Sequence, residues 1–212
     1  MMILIGQYDS PYVRRVAITL RTYDLAYEHR SWSVWGDADK IAAHNPLRRV
    51  PTLLLPDGTA LVETYAIIDA VDEMVPAERA LLPRSGPVRR DGMRIAALAS
   101  GLADKAASLM YEPMFRAQPS ESWMARCRSQ IADTLRVLEA DRAARSSGYW
   151  LGSSLSHADV AFACALRFTR EADPTLFDPA RHQALEAHAR TCEALPAFGE
   201  IYQAITNVVP AP

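Results

Sequence analysis

The junction between residues 2–6 and the run that begins at Pro11 constrains the fold most, because strand-like sequence gives way there to helix-like sequence. Residues 2–6 form a short apolar run, typical of a buried strand. Ser10 then precedes Pro11, which is a helix start signal because the hydroxyl caps free amides and proline has no amide to lose. Apolar residues follow at the spacing of one helix face: Val13, Val16, Ala17 and Leu20. A strand followed directly by a helix is the opening of an α/β domain.

The next stretch continues this alternation and predicts a complete small domain over residues 1–76. Residues 27–31 indicate a second strand, and a polar loop then leads into a short helix that ends near His44. Two further strand-like runs flank Pro56-Asp57-Gly58-Thr59, a sequence that favours a hairpin turn. A helix begins at Thr64. The predicted order is β-α-β-α-β-β-α.

The remainder of the chain differs in kind, since its patterns predict helices alone. Residues 77–88 are rich in Pro, Arg, Ser and Gly and indicate a linker, residues 89–207 an all-helical domain, and residues 208–212 a frayed tail. Residues 158–166 are apolar nearly all round, which is typical of a helix in the middle of a bundle. Ser156-His157-Ala158-Asp159 forms the start of this helix, and Ser156 and Asp159 have the spacing of a capping box, which accounts for both without catalysis.

Composition excludes several classes of partner. The 23 Lys and Arg residues nearly balance the 25 Asp and Glu residues, which argues against a nucleic-acid surface. The longest apolar run, residues 160–166, is far shorter than the roughly 20 residues of a membrane span. Charged residues interrupt the N-terminal region where an export signal needs apolar sequence, so we expect a cytoplasmic protein with no membrane partner. The three cysteines are odd in number and far apart, which fits reduced thiols: Cys127, Cys164 and Cys192.

Other common chemistries lack their motifs. The five histidines are scattered, and the six-residue step from His182 to His188 does not place both on one helix face, so no metal site is predicted. The glycine-rich phosphate loops and the nucleophile-elbow motif are missing from the sequence.

Five segments, in order, resemble the glutathione S-transferase family across nearly the whole chain. They are Ser10-Pro11-Tyr12-Val13-Arg14-Arg15-Val16, Asn45-Pro46-Leu47-Arg48-Arg49-Val50-Pro51-Thr52-Leu53, Glu63-Thr64-Tyr65-Ala66-Ile67, Gly152 with Ser156-x-Ala158-Asp159, and Leu195-Pro196-Ala197-Phe198. The sequence reads closest to the tau-, zeta- and bacterial serine-type members. The resemblance implies a thioredoxin-like α/β domain joined to an all-helical domain, usually as a homodimer with two sites. Glutathione is then the co-substrate.

The resemblance makes Ser10 the catalytic residue. A free thiol with a pKa of about 8.5 is only a few per cent ionised at neutral pH. The serine hydroxyl is too weakly acidic to ionise at neutral pH, so it cannot act as a base. Its role must be to donate a hydrogen bond to sulfur. A charge-assisted bond of about 1.5–3 kcal/mol lowers the thiol pKa by about one to two units. Tyr8 is the rival donor, although its place on the strand side equally favours packing.

The other glutathione contacts are also implied by the resemblance. Val50 and Pro51 are expected to share a cis bond that exposes the Val50 backbone to the peptide part of glutathione. Thr64, in place of the usual serine, suits the γ-glutamyl carboxylate, and Glu63 the ammonium. Three weaker candidates complete the set: Arg49 for a carboxylate, Lys40 for the glycyl end, and Asp104 for the ammonium across a dimer.

The electrophile site is expected between the domains, around Pro113, where three side chains offer aromatic and polarisable surface: Tyr111, Met114 and Phe115, with Trp123 as a possible fourth. Position 10 is not a cysteine, so attack on a carbon electrophile is favoured over disulfide chemistry. Two alternatives share the fold: a glutathione-dependent isomerase or peroxidase, and a non-catalytic module that binds a ligand or a protein.

Overall fold

The computed structural model describes residues 1–205, which divide into two compact units. One unit comprises Met1–Pro83 together with the segment from Pro196 onward, and the other comprises Arg84–Leu195. The final helix therefore packs with the first unit, whereas we predicted it within the helical domain. The predicted tail, residues 208–212, lies outside the described residues.

The first unit has the element order that the sequence predicts. Its elements are β1 (Met2–Ile5), α1 (Pro11–Thr22), β2 (Tyr27–Arg30), α2 (Ala38–Ala42), β3 (Thr52–Leu54), β4 (Ala60–Val62), α3 (Thr64–Glu73) and, from the end of the chain, α8 (Pro196–Glu200). Within the described residues the strands form one sheet in the order β2-β1-β3-β4. β1 is parallel to β2 and antiparallel to β3, and β3 and β4 form an antiparallel hairpin. A parallel β-α-β crossover followed by a hairpin and a helix is the thioredoxin-like arrangement.

The core of the first unit lies between the sheet and its helices. Leu4 and Ile5 of β1 are fully buried, as are Val13, Val16 and Leu20 on the inward face of α1. α3 packs beside α1.

Helices are the main elements of the second unit, and an isolated bridge between Tyr149 and Gly152 lies in one of its loops. The unit contains α4 (Pro87–Phe115), α5 (Glu121–Ala143), α6 (His157–Ala172), a short 3-10 helix (Pro174–Leu176) and α7 (Gln183–Glu193). α4 packs against both α5 and α6. Pro113 lies in the last turn of α4, which ends at Phe115. Within residues 1–205, no helix combines the length and apolar character needed to cross a membrane.

Asp159 confirms the predicted capping box at the start of α6 and also ties the box to neighbouring segments. One carboxylate oxygen accepts the Ser156 amide at 2.7 Å, and the other accepts the Trp150 amide at 2.7 Å. His188 places Nε2 at 3.0 Å from Asp159, while Nδ1 of His188 accepts a hydrogen bond from Arg142. The hydrogen bond from Arg142 puts the imidazole proton on Nε2, which then donates to Asp159.

A second polar network surrounds Asp141 and shares Trp150 with the first. Arg145 donates to Asp141 at 2.7 Å, and the Trp150 indole donates at 2.8 Å. Burial by itself would raise the pKa of Asp141, but the hydrogen bonds from Arg145, Trp150 and Arg94 outweigh it and lower the pKa to about 2. The carboxylate is therefore held in its charged form by the folded state.

Candidate glutathione site

Ser10 caps α1 at the end of a tight turn. The Ser10 amide donates to the Gln7 carbonyl at 3.2 Å, and the Ser10 hydroxyl oxygen accepts the Val13 amide at 3.4 Å. Pro11 occupies the first helical position, as the sequence predicts. Among the described residues, the Ser10 hydroxyl accepts a hydrogen bond and donates none, so its proton is available to an external acceptor. The positive end of the helix dipole adds to the attraction for an anion at this point.

Gly6 brings Val50 and the first turn of α1 against the end of β1. Its φ is +130°, and a Cβ added there would lie 2.5 Å from Val13 Cγ2 and 2.8 Å from Val50 Cβ. Real Cβ atoms do not approach other atoms so closely, so the close contact requires glycine. The segment that contains Val50 is thereby adjacent to the helix turn that Ser10 caps.

The Val50–Pro51 peptide bond is cis, as the resemblance implies. Within residues 1–205, the Val50 backbone N–H and C=O form no intramolecular hydrogen bond, which leaves both available to an extended peptide. Asn45 holds this loop from beneath: it is buried, and its side-chain amide donates to the Arg49 carbonyl at 2.9 Å and to the Thr52 hydroxyl at 3.1 Å. No role was predicted for Asn45, although asparagine before proline signals such a turn.

Glu63 is the residue that caps α3, and Thr64 is the first residue of that helix. Glu63 has a φ of +67°, an unusual backbone conformation for a residue other than glycine, and Thr64 is buried in the first turn. Arg49 pairs with Glu63 at 3.1 Å, but both side chains are more than half exposed, so the pair stabilises the fold little and both charges can turn to a ligand. Tyr65 contacts α1, because the Arg15 guanidinium lies 5.0 Å from the centre of its ring.

Two pairings among the predicted residues are visible in the first unit: Val50 lies beside the first turn of α1, which Ser10 caps, and Arg49 pairs with Glu63. Lys40 lies in α2 and is already engaged, with Nζ 2.6 Å from Asp37 and 5.9 Å from the centre of the Trp32 ring. Its contact with a ligand remains a prediction.

Tyr8, the rival donor, has contacts that favour a packing role. Its hydroxyl lies 2.8 Å from the hydroxyl of Tyr27, and its ring stacks on that of His29 with centroids 3.9 Å apart. Burial raises the pKa of Tyr8, although the hydrogen bond with Tyr27 acts in the opposite direction. The Tyr8 hydroxyl accordingly stays protonated and shared with Tyr27.

The residues predicted for the electrophile lie in the second unit. Tyr111 and Phe115 are in contact at the end of α4, with ring centroids 5.8 Å apart, and Met114 is partly buried beside them. Trp123 on α5 is partly exposed and lies beneath Lys105, whose Nζ is 5.4 Å from the ring centre. Asp104 is on an exposed face of α4. These positions fit an aromatic surface, and their use by a substrate remains a prediction.

One cluster of potential metal ligands was not anticipated from the sequence. Asp159, His188 and Cys192 are all buried, with ligand atoms within 4.8 Å of one another. Their spacing gave no signal because the aspartate and the other two residues are on different helices. The Asp159 oxygens already accept bonds from Trp150, Ser156 and His188. Burial, with Asp159 nearby, raises the pKa of Cys192, so the thiol stays protonated.

The first unit is thioredoxin-like, with a cis-proline loop beside the helix start that Ser10 caps, and the second unit is helical. Two family models match: "Glutathione S-transferase, N-terminal domain" over residues 4–79 and "Glutathione S-transferase, C-terminal domain" over residues 121–191. The chain belongs to the glutathione S-transferase family.

Individual relatives agree with this assignment. The chain is 30% identical to the uncharacterised GST-like protein YibF of Escherichia coli K12 over 79% of this chain and 81% of that protein. It is 28% identical to the probable glutathione S-transferase GSTU6 of Oryza sativa subsp. japonica over 87% of this chain and 80% of the relative. A solved glutathione S-transferase of Methylobacterium radiotolerans, in complex with glutathione sulfonate, superposes with a TM-score of 0.89 at 28% identity, covering 99% of both chains. A family member from Pseudomonas fluorescens Pf-5 with bound glutathione gives 0.85 at 26% identity, covering 97% of this chain and 100% of the other.

Proposed function

We propose that the protein is a glutathione transferase in which the Ser10 hydroxyl holds the glutathione sulfur as a thiolate for attack on a small apolar electrophile. The observation that carries the proposal is the position of Ser10. Its hydroxyl caps α1 with the proton still available, in the turn that Gly6 allows to approach Val50. The glutathione bound to the solved Pseudomonas relative and the glutathione sulfonate bound to the Methylobacterium relative support the choice of ligand.

The chemistry requires only a modest preference for the thiolate. Lowering a thiol pKa from about 8.5 to about 7 takes about 2 kcal/mol of differential stabilisation. A hydrogen bond from a hydroxyl to a charged acceptor contributes about 1.5–3 kcal/mol, and the amides of the first helical turn add to it. Ser10 therefore acts as a donor to sulfur throughout and never needs to lose its proton.

The rest of the tripeptide fits the remaining residues of the site. The unbonded N–H and C=O of Val50 pair with the cysteinyl backbone of glutathione, as an added strand would. The Thr64 hydroxyl and the amides at the start of α3 receive the γ-glutamyl carboxylate, and Glu63 receives the ammonium. Arg49 and Lys40 serve the carboxylates, and Asp104 reaches the ammonium from the partner in a homodimer.

In the second unit, Tyr111, Met114 and Phe115 receive the electrophile through their aromatic and polarisable surface. None of the three cysteines forms a disulfide, which fits our proposal of a cytoplasmic location, where thiols stay reduced.

The test is ultraviolet titration of the thiolate of bound glutathione in the wild type and in Ser10→Ala. The wild type is expected to show thiolate absorbance at neutral pH. The variant is expected to bind glutathione within a few-fold of wild type while its conjugation rate falls by about 10- to 100-fold, the size of one lost hydrogen bond to a charged group. Equal turnover in the variant would remove Ser10 from the mechanism.

Ser120→Ala is the matched control for the thiolate titration. Ser120 caps α5 and accepts the Trp123 amide at 3.4 Å, the same distance as in the Ser10 cap. Its loss costs a similar amount of helix stability but leaves the thiolate signal unchanged. If the wild type shows the thiolate and catalyses isomerisation or peroxide reduction but no conjugation, those activities are favoured. If it binds glutathione without a thiolate signal, a non-catalytic module is favoured.

A further inference from the structure

The chain segment after α8 contacts the turn that carries Ser10. The backbone amide of Tyr8 donates a hydrogen bond to Oε1 of Gln203 at 3.1 Å, although the two residues are at opposite ends of the sequence. Tyr8 is the second residue of the Gln7–Ser10 turn, whose closing bond joins the Ser10 amide to the Gln7 carbonyl. The Tyr8 amide within the turn is therefore satisfied by the C-terminal segment.

Gln203 is held in place by the residues before it. Arg14 is fully buried on α1, and its guanidinium donates to the carbonyls of Ile201 and Phe198, each at 2.8 Å. The same guanidinium lies 5.6 Å from the centre of the Phe198 ring. Because these bonds join α1 to the end of α8, the segment that carries Gln203 has a fixed position relative to the helix that Ser10 caps.

Tyr8 is consequently held at both its backbone and its side chain. Gln203 binds the amide, while stacking on His29 and the hydroxyl contact with Tyr27 hold the ring. With Tyr8 fixed, only Asp9 separates it from Ser10, so the backbone orientation of Ser10 has little freedom. A donor that stabilises a charge works best when it is oriented before the charge forms.

We propose that Gln203 is a positioning residue for Ser10: it fixes the Tyr8 amide and thereby aims the Ser10 hydroxyl at the glutathione sulfur. The inference rests on the proposed function and adds to it a role for the C-terminal segment. Loss of the Gln203 carbonyl frees the Tyr8 amide and lets the turn sample other orientations. The hydroxyl then spends less time on the sulfur, and the thiolate is less favoured.

The test replaces Gln203 with methionine, which has similar length and no strong acceptor, and measures the pKa of bound glutathione by ultraviolet titration. The thiol pKa is expected to rise by about half to one unit and kcat to fall about three- to ten-fold, while glutathione affinity stays within about two-fold. The midpoint of the pH-rate profile is expected to shift with the thiol pKa. A purely structural role would lower the melting temperature and leave both titrations in place.

Glu200→Gln is the matched control, because it breaks an exposed ion pair with Arg21 that joins the same two segments away from the Ser10 turn. It is expected to titrate like wild type. If Gln203→Met does not fold, Gln203→Asn replaces it, since its shorter side chain keeps the amide but cannot reach the Tyr8 backbone. Hydrogen exchange at the Tyr8 amide, faster in either variant, confirms the lost bond.

The outcomes separate the two proposals. If the wild type and the Gln203 variant lower the pKa of the bound glutathione thiol equally, the role of Gln203 is overturned and the proposed function still stands. A wild type that binds glutathione without any thiolate signal would remove the proposed function, and the positioning role with it.

Discussion

Replacement of Gly6 by alanine tests whether the approach of Val50 to the helix start builds the site. An alanine Cβ would lie 2.5 Å from Val13 Cγ2 and 2.8 Å from Val50 Cβ, about 1 Å inside ordinary contact. Val13 is fully buried and β-branched, so it cannot rotate away. The less restrained neighbour is Val50, on its loop, and we expect the loop to move outward.

The cost has two separable parts. A non-glycine residue at the Gly6 φ of +130° costs on the order of 1–2 kcal/mol, and overpacking in a filled core costs about 1–3 kcal/mol more. Gly58→Ala supplies the first part alone, because Gly58 also has a positive φ, +89°, but no atom lies within 4 Å of its added Cβ. The entropy lost by the unfolded chain is the same for both variants and cancels in the comparison.

The assay is urea unfolding of both variants alongside glutathione titration by calorimetry. We expect Gly6→Ala to be less stable than Gly58→Ala by about 1–3 kcal/mol and to bind glutathione at least about ten-fold more weakly than wild type, with Gly58→Ala within about two-fold. Equal stability and equal affinity of the two variants would refute the argument that Gly6 sets the position of Val50.

Two further predictions concern single polar groups. Thr64→Val keeps the shape of the side chain and removes the hydroxyl proposed for the γ-glutamyl carboxylate, so calorimetry should show about five- to ten-fold weaker glutathione binding, with Thr64→Ser within about two-fold of wild type; an unchanged affinity in the valine variant would exclude the hydroxyl from the site. Asp141 has a pKa of about 2 in the folded protein against an ordinary value of 3.8, so the unfolded state binds more protons in acid, and about 2 kcal/mol of stability present above pH 4 is lost as the pH falls toward 2. Denaturation curves across that range should show a weaker pH dependence in Asp141→Asn, and an unaltered dependence would contradict the assignment.

The helix caps and the hairpin could be predicted because their signals are local. Ser10 with Pro11 marks the start of α1, and Ser156 with Asp159 marks the start of α6, since each cap joins residues three positions apart or fewer. The family resemblance added the cis Val50–Pro51 bond, which the residue pattern by itself does not predict.

Contacts between distant residues had no comparable signal. Sequence patterns placed α8 in the helical domain, but Arg14 binds its terminal carbonyls and so joins it to α1. An arginine in an amphipathic helix is usually a solvated charge, and only the burial of this one shows otherwise. Tyr8 was a possible donor until its contacts with Tyr27 and His29 were known.

By itself, the sequence determined which segments become strands and helices and where most of them begin. It also identified the Ser10, Val50 and Thr64 motifs as candidate parts of the site. These features depend on interactions among near neighbours in the chain. Only the tertiary structure decided that Gly6 brings Val50 to the helix start, that Arg49 pairs with Glu63, and that Gln203 binds the Tyr8 amide. Those contacts depend on how the sheet, the helices and the C-terminal segment pack, and packing is set by the whole chain together.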